Sequence, residues 1–305
     1  MRQGLPQPVI RTVVLLLFYV SGALGLVYEV VWSRMMMHVF GSTAVAVGTV
    51  LAAFMSGLAV GAWLIGRWAD GSRNGLRLYA VLELAIALAA WLSHQLLYRL
   101  APAHLALYEL AGSSDIGFAL LRFGLAFALI FLPTVLMGAT LPVLSRFLIE
   151  RQSLVGVGLS TLYSINTLGA VSGVLLAGFY LIGTYGIHTP VHLAVAGNFL
   201  IACVAWLASR HVGQTPSPPT TRPHTEALLQ PVNPAILRLI LVALGVSGFT
   251  SFAYEIYWTR SLVFVLGNSV YALSTMLSAF LSGIALGGWL VRFLIARVVD
   301  RVFLF

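Results

Sequence analysis

The stretch SGALGLVYEVVWSR at positions 21–34 returns as SGFTSFAYEIYWTR at positions 247–260, and this recurrence decides the fold. The similarity continues to positions 64 and 290, and 19 of the 44 positions aligned without a gap are identical. A long apolar block that recurs is typical of membrane proteins built from two copies of one helical unit. We therefore expect two tandem copies, of which the second ends early within these 305 residues.

Composition indicates that the solvent of this chain is lipid. Hydrophobic residues make up 60% of it and charged residues 9%, whereas a soluble domain carries about 25% charged residues. The net charge of +8 comes from arginines that lie singly between apolar runs. Such spacing is typical of charges that orient a membrane protein, and it argues against nucleic-acid binding. The lone Cys203 excludes an internal disulfide and a Cys-only metal site.

Eight apolar segments are long enough to cross about 30 Å of hydrocarbon. They cover positions 12–31, 43–65, 76–97, 118–141, 154–182, 187–209, 235–257 and 269–294. A proline-rich stretch separates the sixth from the seventh and is predicted to be an extended linker. We therefore predict an all-α integral membrane protein with three parts: a major-facilitator-like six-helix unit at 1–209, a cytoplasmic linker at 210–234, and a partial second repeat at 235–305.

The arginine distribution predicts the orientation of the helices. Because six is an even number, both copies of the repeat begin on the same side of the membrane. Thirteen arginines fall on that side, and the opposite side holds only Arg34, Arg99, Arg122 and Arg260. Since positive charge marks the cytoplasmic side, we predict a multi-pass protein of the bacterial inner membrane with both termini in the cytoplasm. The first apolar segment lacks a cleavage site, so we expect it to be retained.

A polar cluster lies inside the repeat and is the first candidate site. Its members are Tyr28, Glu29, Trp32 and Arg34, which recur as Tyr254, Glu255, Trp258 and Arg260. Each glutamate is expected two or three residues inside the outer end of its helix, where a carboxylate is costly unless it is paired, protonated or hydrated. One interpretation is a polar gate that attracts cations. The other, which the recurrence favours, is a Glu–Arg ion pair that seats helices one and seven.

Two polar residues inside other apolar segments are further candidates. Glu83 lies about two turns into the third segment, where a carboxylate serves in proton coupling or cation binding unless it reaches back to the cytoplasmic surface. Asn166 lies in the fifth segment and can hydrogen-bond across helices. An asparagine of this kind more often joins helices than contacts a substrate.

The loop after the second segment contains Arg67, Asp70 and Arg73. These residues predict either a charge network that holds one conformation and breaks in another, or an ordinary positive-inside loop. His188 and His192 have a spacing that can hold a metal, but no third ligand is near them in sequence, so no metal site is expected. No nucleotide-binding or metalloprotease motif occurs, and no cofactor is expected.

Three motifs resemble the membrane-embedded part of the fused major-facilitator/spermidine-synthase-like proteins. They are Ser21-Gly22 with Tyr28-Glu29-x-x-Trp32-x-Arg34, then Met137-Gly138-Ala139-Thr140-Leu141-Pro142, and Tyr163-x-x-Asn166-Thr167-x-Gly169-Ala170. In that family a soluble aminopropyltransferase domain with a catalytic aspartate often follows the helices. No such motif lies in these residues, so the resemblance implies the architecture and leaves enzyme activity open.

Three functional hypotheses follow. The first is a transporter-like membrane module for a small cationic solute such as a polyamine, in which Glu29, Glu83 and Glu255 attract or couple the cation. The second is a non-transporting membrane subunit or anchor that scaffolds a soluble or membrane protein partner. The third is a membrane anchor for an aminopropyltransferase domain encoded beyond these residues. The lipid bilayer is the partner that all three share.

Overall fold

The computed structural model of the chain describes residues 7–41, 43–69, 74–100, 102–110, 114–149, 155–211, 234–267 and 269–297. The helices are α1 (Gln7–Phe40), α2 (Thr43–Ala69), α3 (Gly75–Leu100), α4 (His104–Leu110), α5 (Asp115–Ile149), α6 (Val155–Leu175), α7 (Ile182–Tyr185), α8 (His188–Ser209), α9 (Pro234–Leu266) and α10 (Ser269–Arg297). A π-helical turn, Leu176–Leu181, joins α6 to α7 without a break.

The prediction of an all-α membrane protein with eight spans is confirmed. Within the described residues, eight helical segments are long and apolar enough to cross a membrane: α1, α2, α3, α5, the continuous segment from α6 to α7, α8, α9 and α10. No strand occurs in the ranges that the structure describes. The division into a six-helix unit, a linker and a partial repeat stays a prediction, and nearly all of the predicted linker lies outside the described residues.

Helices α1 and α9 run further than the apolar segments predicted, so the placement of their glutamates near helix ends was wrong. Each glutamate lies eleven residues before the end of its helix, at Phe40 or at Leu266. Both helices continue through their arginines because the residues beyond these are again largely apolar. Gly41 and Gly267 then adopt left-handed φ values of 67° and 64°, a conformation that ends helices and that favours glycine.

The first five spans and α8 pack into one body. Helix α1 contacts α2, α6 and α8; α3 contacts α5 and α8; and α2 lies along α5. Of the two helices from the second copy, α10 packs along α6, whereas α9 contacts mainly α10 and part of α2. Helix α9 is consequently exposed along most of its length, and Glu255 and Thr259 are its buried residues.

The long helix α5 continues through two prolines, Pro133 and Pro142. Proline lacks an N–H, so the carbonyl four residues before it loses its helical partner. The carbonyl freed by Pro133 belongs to Leu129, and the Ser93 hydroxyl of α3 donates a hydrogen bond to it at 2.5 Å. A side chain from a neighbouring helix thus satisfies the backbone where the helix would otherwise be weakest.

Glycines at equivalent positions of the repeat lie in opposite surroundings. A Cβ atom on Gly57 or Gly61 of α2 would overlap backbone or side-chain atoms of α5. The equivalent Gly283 and Gly287 of α10 have no such neighbour within 4 Å. Small residues let helices approach closely. In the first copy these glycines allow α2 to pack closely against α5. In the described structure, no helix packs against the same face of α10 in the second copy.

Candidate functional site

A buried carboxylate at the junction of α1, α3 and α8 forms the first polar centre. Glu83 is 0% exposed. Its Oε1 accepts a hydrogen bond of 2.6 Å from the Ser21 hydroxyl of α1, and its Oε2 accepts one of 2.6 Å from Nδ2 of Asn198 on α8. These are the lengths of hydrogen bonds to an ionised or strongly polar partner. Glu83 therefore points into the helix bundle and holds three helices together.

The network extends from Asn198 to the first copy of the repeated cluster. The hydroxyl of Tyr28 donates a hydrogen bond of 2.7 Å to Oδ1 of Asn198. The Tyr28 ring stacks on Trp32 with ring centroids 5.4 Å apart, and both side chains are fully buried. In the first copy, the two aromatic residues of the cluster thus serve as packing and as part of a hydrogen-bond chain.

The second copy presents the same two aromatic residues at the surface. Tyr254 is 62% exposed and Trp258 is 54% exposed. Together with Glu255, they line a cavity of about 320 Å³ between α9 and α10, whose other lining residues are Leu262, Thr275, Met276, Ala279 and Phe280. Pockets that hold small molecules commonly have about 300–1,000 Å³ and a few polar groups among apolar walls. The tyrosine and tryptophan of the motif are therefore buried in the first copy and line an accessible cavity in the second.

The glutamates of the two copies interact electrostatically. Glu29 and Glu255 are both buried. Among the described residues, neither forms an ion pair, and Oε1 of Glu255 has no hydrogen-bond partner. Removing an ionised carboxylate from water costs several kcal/mol when nothing compensates it. A bound cation would offset this cost for two buried carboxylates that interact with each other.

The predicted Glu–Arg partnership is not seen. Within the ranges covered by the structure, no ion pair joins Glu29 to Arg34 or Glu255 to Arg260. Residues five apart on a helix are separated by one full turn plus about 140° around its axis, so the two side chains point in clearly different directions. The recurrence of the arginine beside the glutamate was therefore a poor guide to pairing in space.

The remaining predicted residues have separate positions. The backbone and side-chain oxygens of Asn166 lie against Gly22 of α1, at the close contact of α1 with α6. Arg67 belongs to the last turn of α2. Asp70 and Arg73 lie outside the described residues, so the charge network stays a prediction.

A cluster of histidines lies where α3 ends and α8 begins. Nε2 of His94 lies 3.0 Å from Nδ1 of His188, and the rings of His94 and His192 contact edge to face at 5.9 Å. In the described part of the chain, no group of three or more His, Cys, Asp or Glu side chains is arranged to hold a metal ion. The contacts given for the cluster are edge-to-face ring contacts and one hydrogen bond.

Sequence reasoning missed several residues of this polar centre. Ser21, Tyr79 and Asn198 surround Glu83, yet only the glutamate was singled out as a site residue. An asparagine inside an apolar span was an available signal, because an unpaired amide in hydrocarbon is costly.

Neither a protein-family model, a curated protein nor a solved structure matches this chain.

Proposed function

We propose that the chain is a transporter-like module of the bacterial inner membrane that binds a small organic cation, such as a polyamine, in the cavity between α9 and α10. Glu255 carries this proposal, because its buried Oε1 lacks a hydrogen-bond partner among the described residues while its side chain lines the cavity. A cation bound there would supply the missing positive charge. Glu29, close by on α1, would add to the attraction.

The aromatic walls suit an ammonium group better than a bare metal ion. Tyr254 and Trp258 line the same cavity as the carboxylate. A cation over the face of such a ring gains about 0.5–2 kcal/mol, and tryptophan is the best of the aromatic residues at this. The cavity volume of about 320 Å³ also exceeds what a single metal ion needs. The resemblance to polyamine-related membrane proteins supports the choice of solute. The proposal also includes cytoplasmic termini, as the arginine distribution predicts.

Binding of labelled spermidine to the purified chain in nanodiscs tests this function. Glu255→Gln removes the charge and keeps the shape, so we expect the Kd to rise at least tenfold, which is about 1.4 kcal/mol. Trp258→Leu should raise it about threefold to thirtyfold. Glu109→Gln, on the exposed face of α4, is the matched control and should leave the Kd unchanged. Absent binding to the wild type, or equal Kd values for all variants, would refute the proposal.

A second candidate function rests on the bare glycine face. In the first copy, Gly57 and Gly61 receive α5, whereas the equivalent Gly283 and Gly287 have open space. This asymmetry favours a membrane subunit whose partner contributes transmembrane helices to α10. Gly287→Trp should then abolish stoichiometric co-purification of the partner from native membranes, while Leu88→Trp, at a 62% exposed position of α3, should not. A chain that purifies alone and binds spermidine would contradict this candidate.

A further inference from the structure

Glu83 is a buried ionisable group that the proposed cation cavity does not use. The cavity is lined by residues of α9 and α10, whereas Glu83 bonds to α1 and α8. The carboxylate has no cationic neighbour in the described structure: its surroundings are Ser21, Asn198 and the hydroxyl of Tyr79. A carboxylate at the centre of a helix bundle without a countercharge is costly, and a bound positive ligand or a proton would lower that cost.

The contact distances leave no room for a metal ion between Glu83 and its partners Ser21 and Asn198. The oxygen of Ser21 and the nitrogen of Asn198 each lie 2.6 Å from a carboxylate oxygen of Glu83. Two oxygen ligands at right angles around Mg²⁺, each 2.0–2.1 Å from the metal, are about 2.9 Å apart, and larger ions separate them further. At 2.6 Å, the Ser21 oxygen and the Asn198 nitrogen are directly hydrogen-bonded to Glu83, and only a hydrogen atom fits between each pair.

We propose that Glu83 is a reversible proton-binding site, in which Ser21, Tyr79 and Asn198 hold the side chain both as the carboxylate and as the carboxylic acid. As a carboxylate, Glu83 accepts from Ser21 and Asn198. The Tyr79 hydroxyl, which forms no hydrogen bond with the described residues, interacts with the carboxylate and is available as a further donor. As an acid, it donates its proton to a hydroxyl oxygen. Serine and tyrosine hydroxyls both donate and accept, so they can reverse their roles by rotation.

Every element packed against Glu83 is compatible with this exchange. Tyr79 on α3 and Tyr28 on α1 are the ionisable groups that face it, Tyr28 through Asn198. Helix α8 contributes only the neutral amide of Asn198. No ionisable side chain of α5 within the described range interacts with the carboxylate. Rotation of the Ser21 and Tyr79 hydroxyls can therefore provide the carboxyl group with a hydrogen-bond partner in either protonation state, which is the condition for a site that cycles.

Difference infrared spectroscopy between high and low pH tests the proton site without any substrate. The nine aspartates and glutamates all give carboxylic acid C=O bands when they are protonated, and in wild-type chain in nanodiscs one band that grows as the pH falls should come from Glu83. Glu83→Gln, which keeps the shape of the side chain and cannot ionise, should lack this band, whereas Glu29→Gln, Glu255→Gln and Glu109→Gln should retain it. Ser21→Ala should shift the frequency of the band, because the carboxyl group loses a hydrogen-bond partner. Carboxylic acid bands that are the same in Glu83→Gln and in the wild type overturn the proposal.

A second experiment connects the proton to cation movement, and this step rests on the proposed function. In liposomes loaded with a pH-sensitive dye, spermidine added outside should drive protons outward in the wild type. Glu83→Gln should bind spermidine with unchanged Kd and move no protons. Proton movement that persists in Glu83→Gln would overturn the coupling. A wild type that binds no spermidine would refute the proposed function and leave the infrared test of Glu83 intact.

Discussion

Replacing Gly61 by alanine, and separately its repeat equivalent Gly287, should change stability in opposite directions. A Cβ on Gly61 would come within 2.7 Å of the carbonyl carbon of Val135, well inside the ordinary contact range of 3.4–4 Å. The neighbour is the backbone of α5, which cannot rotate away. A Cβ on Gly287 has no such neighbour within 4 Å in the part of the chain that the structure describes.

The expected magnitudes follow from two competing effects. Alanine in place of glycine stabilises a helix interior by about 1 kcal/mol. Overpacking a tight contact costs about 1–3 kcal/mol, and a rigid backbone neighbour places Gly61 near the upper limit. Gly61→Ala should therefore destabilise the chain by about 2 kcal/mol, whereas Gly287→Ala should stabilise it by up to about 1 kcal/mol. The two variants should differ by about 3 kcal/mol.

Reversible unfolding by SDS in mixed micelles, followed by circular dichroism, measures both free energies. The positions share their register in the repeat and the glycines four residues earlier, Gly57 and Gly283, so intrinsic helix propensity largely cancels in the comparison. Equal effects of the two substitutions, or a stabilising Gly61→Ala, would show that close contact between α2 and α5 does not govern the stability. Destabilisation by Gly287→Ala in the isolated chain would show that the α10 face is covered.

Further stability predictions use the same assay. Asn198→Ala removes a hydrogen bond from each of Glu83 and Tyr28, and should cost about 2–4 kcal/mol because a buried carboxylate oxygen loses its donor; a cost below 1 kcal/mol would be inconsistent with a buried network. Trp32→Ala should cost about 3–5 kcal/mol, while Trp258→Ala, at an exposed position, should cost less than about 1 kcal/mol; similar costs would contradict the different surroundings of the two copies.

A prediction for α5 concerns the same unfolding measurement. Ser93→Ala leaves the carbonyl that Pro133 exposes without its donor, and should cost about 1–3 kcal/mol. In the double variant with Pro133→Ala, the helix regains its own N–H donor, so this cost should largely disappear; a Ser93→Ala cost that persists there would be evidence against the bond.

The number and order of the spans could be predicted from sequence because they depend on local properties. A run of about 20 apolar residues is enough to identify a span, whatever packs against it. The ends of α1 and α9 were missed because the arginines at 34 and 260 interrupt hydrophobicity without interrupting the helix. Helix ends are set by backbone conformation, and Gly41 and Gly267 carry that information here.

The candidate site was only partly predictable, since it depends on which helices meet. The sequence identified Glu29, Glu83 and Glu255 as unusual carboxylates, because charge inside an apolar run is locally visible. Their partners are far apart in sequence: Glu83 bonds to Ser21 and Asn198. The different exposure of Tyr28 and Tyr254 was beyond reach for the same reason, since identical motifs carry no information about their neighbours.

The π-helical turn at Leu176–Leu181 has a mechanical consequence. The N–H of Ile182 bonds to the carbonyl of Ala177, five residues earlier, so this turn holds one residue more than an α-helical turn. If such a turn migrates along a helix, each residue that it passes rotates by about 100° around the axis. Gly178 lies within it, at the contact with Ser274 of α10. The contact between the two copies of the repeat thus includes a π-helical turn. Displacing this turn along the helix would change which side chains contact α10, while the span itself stays helical.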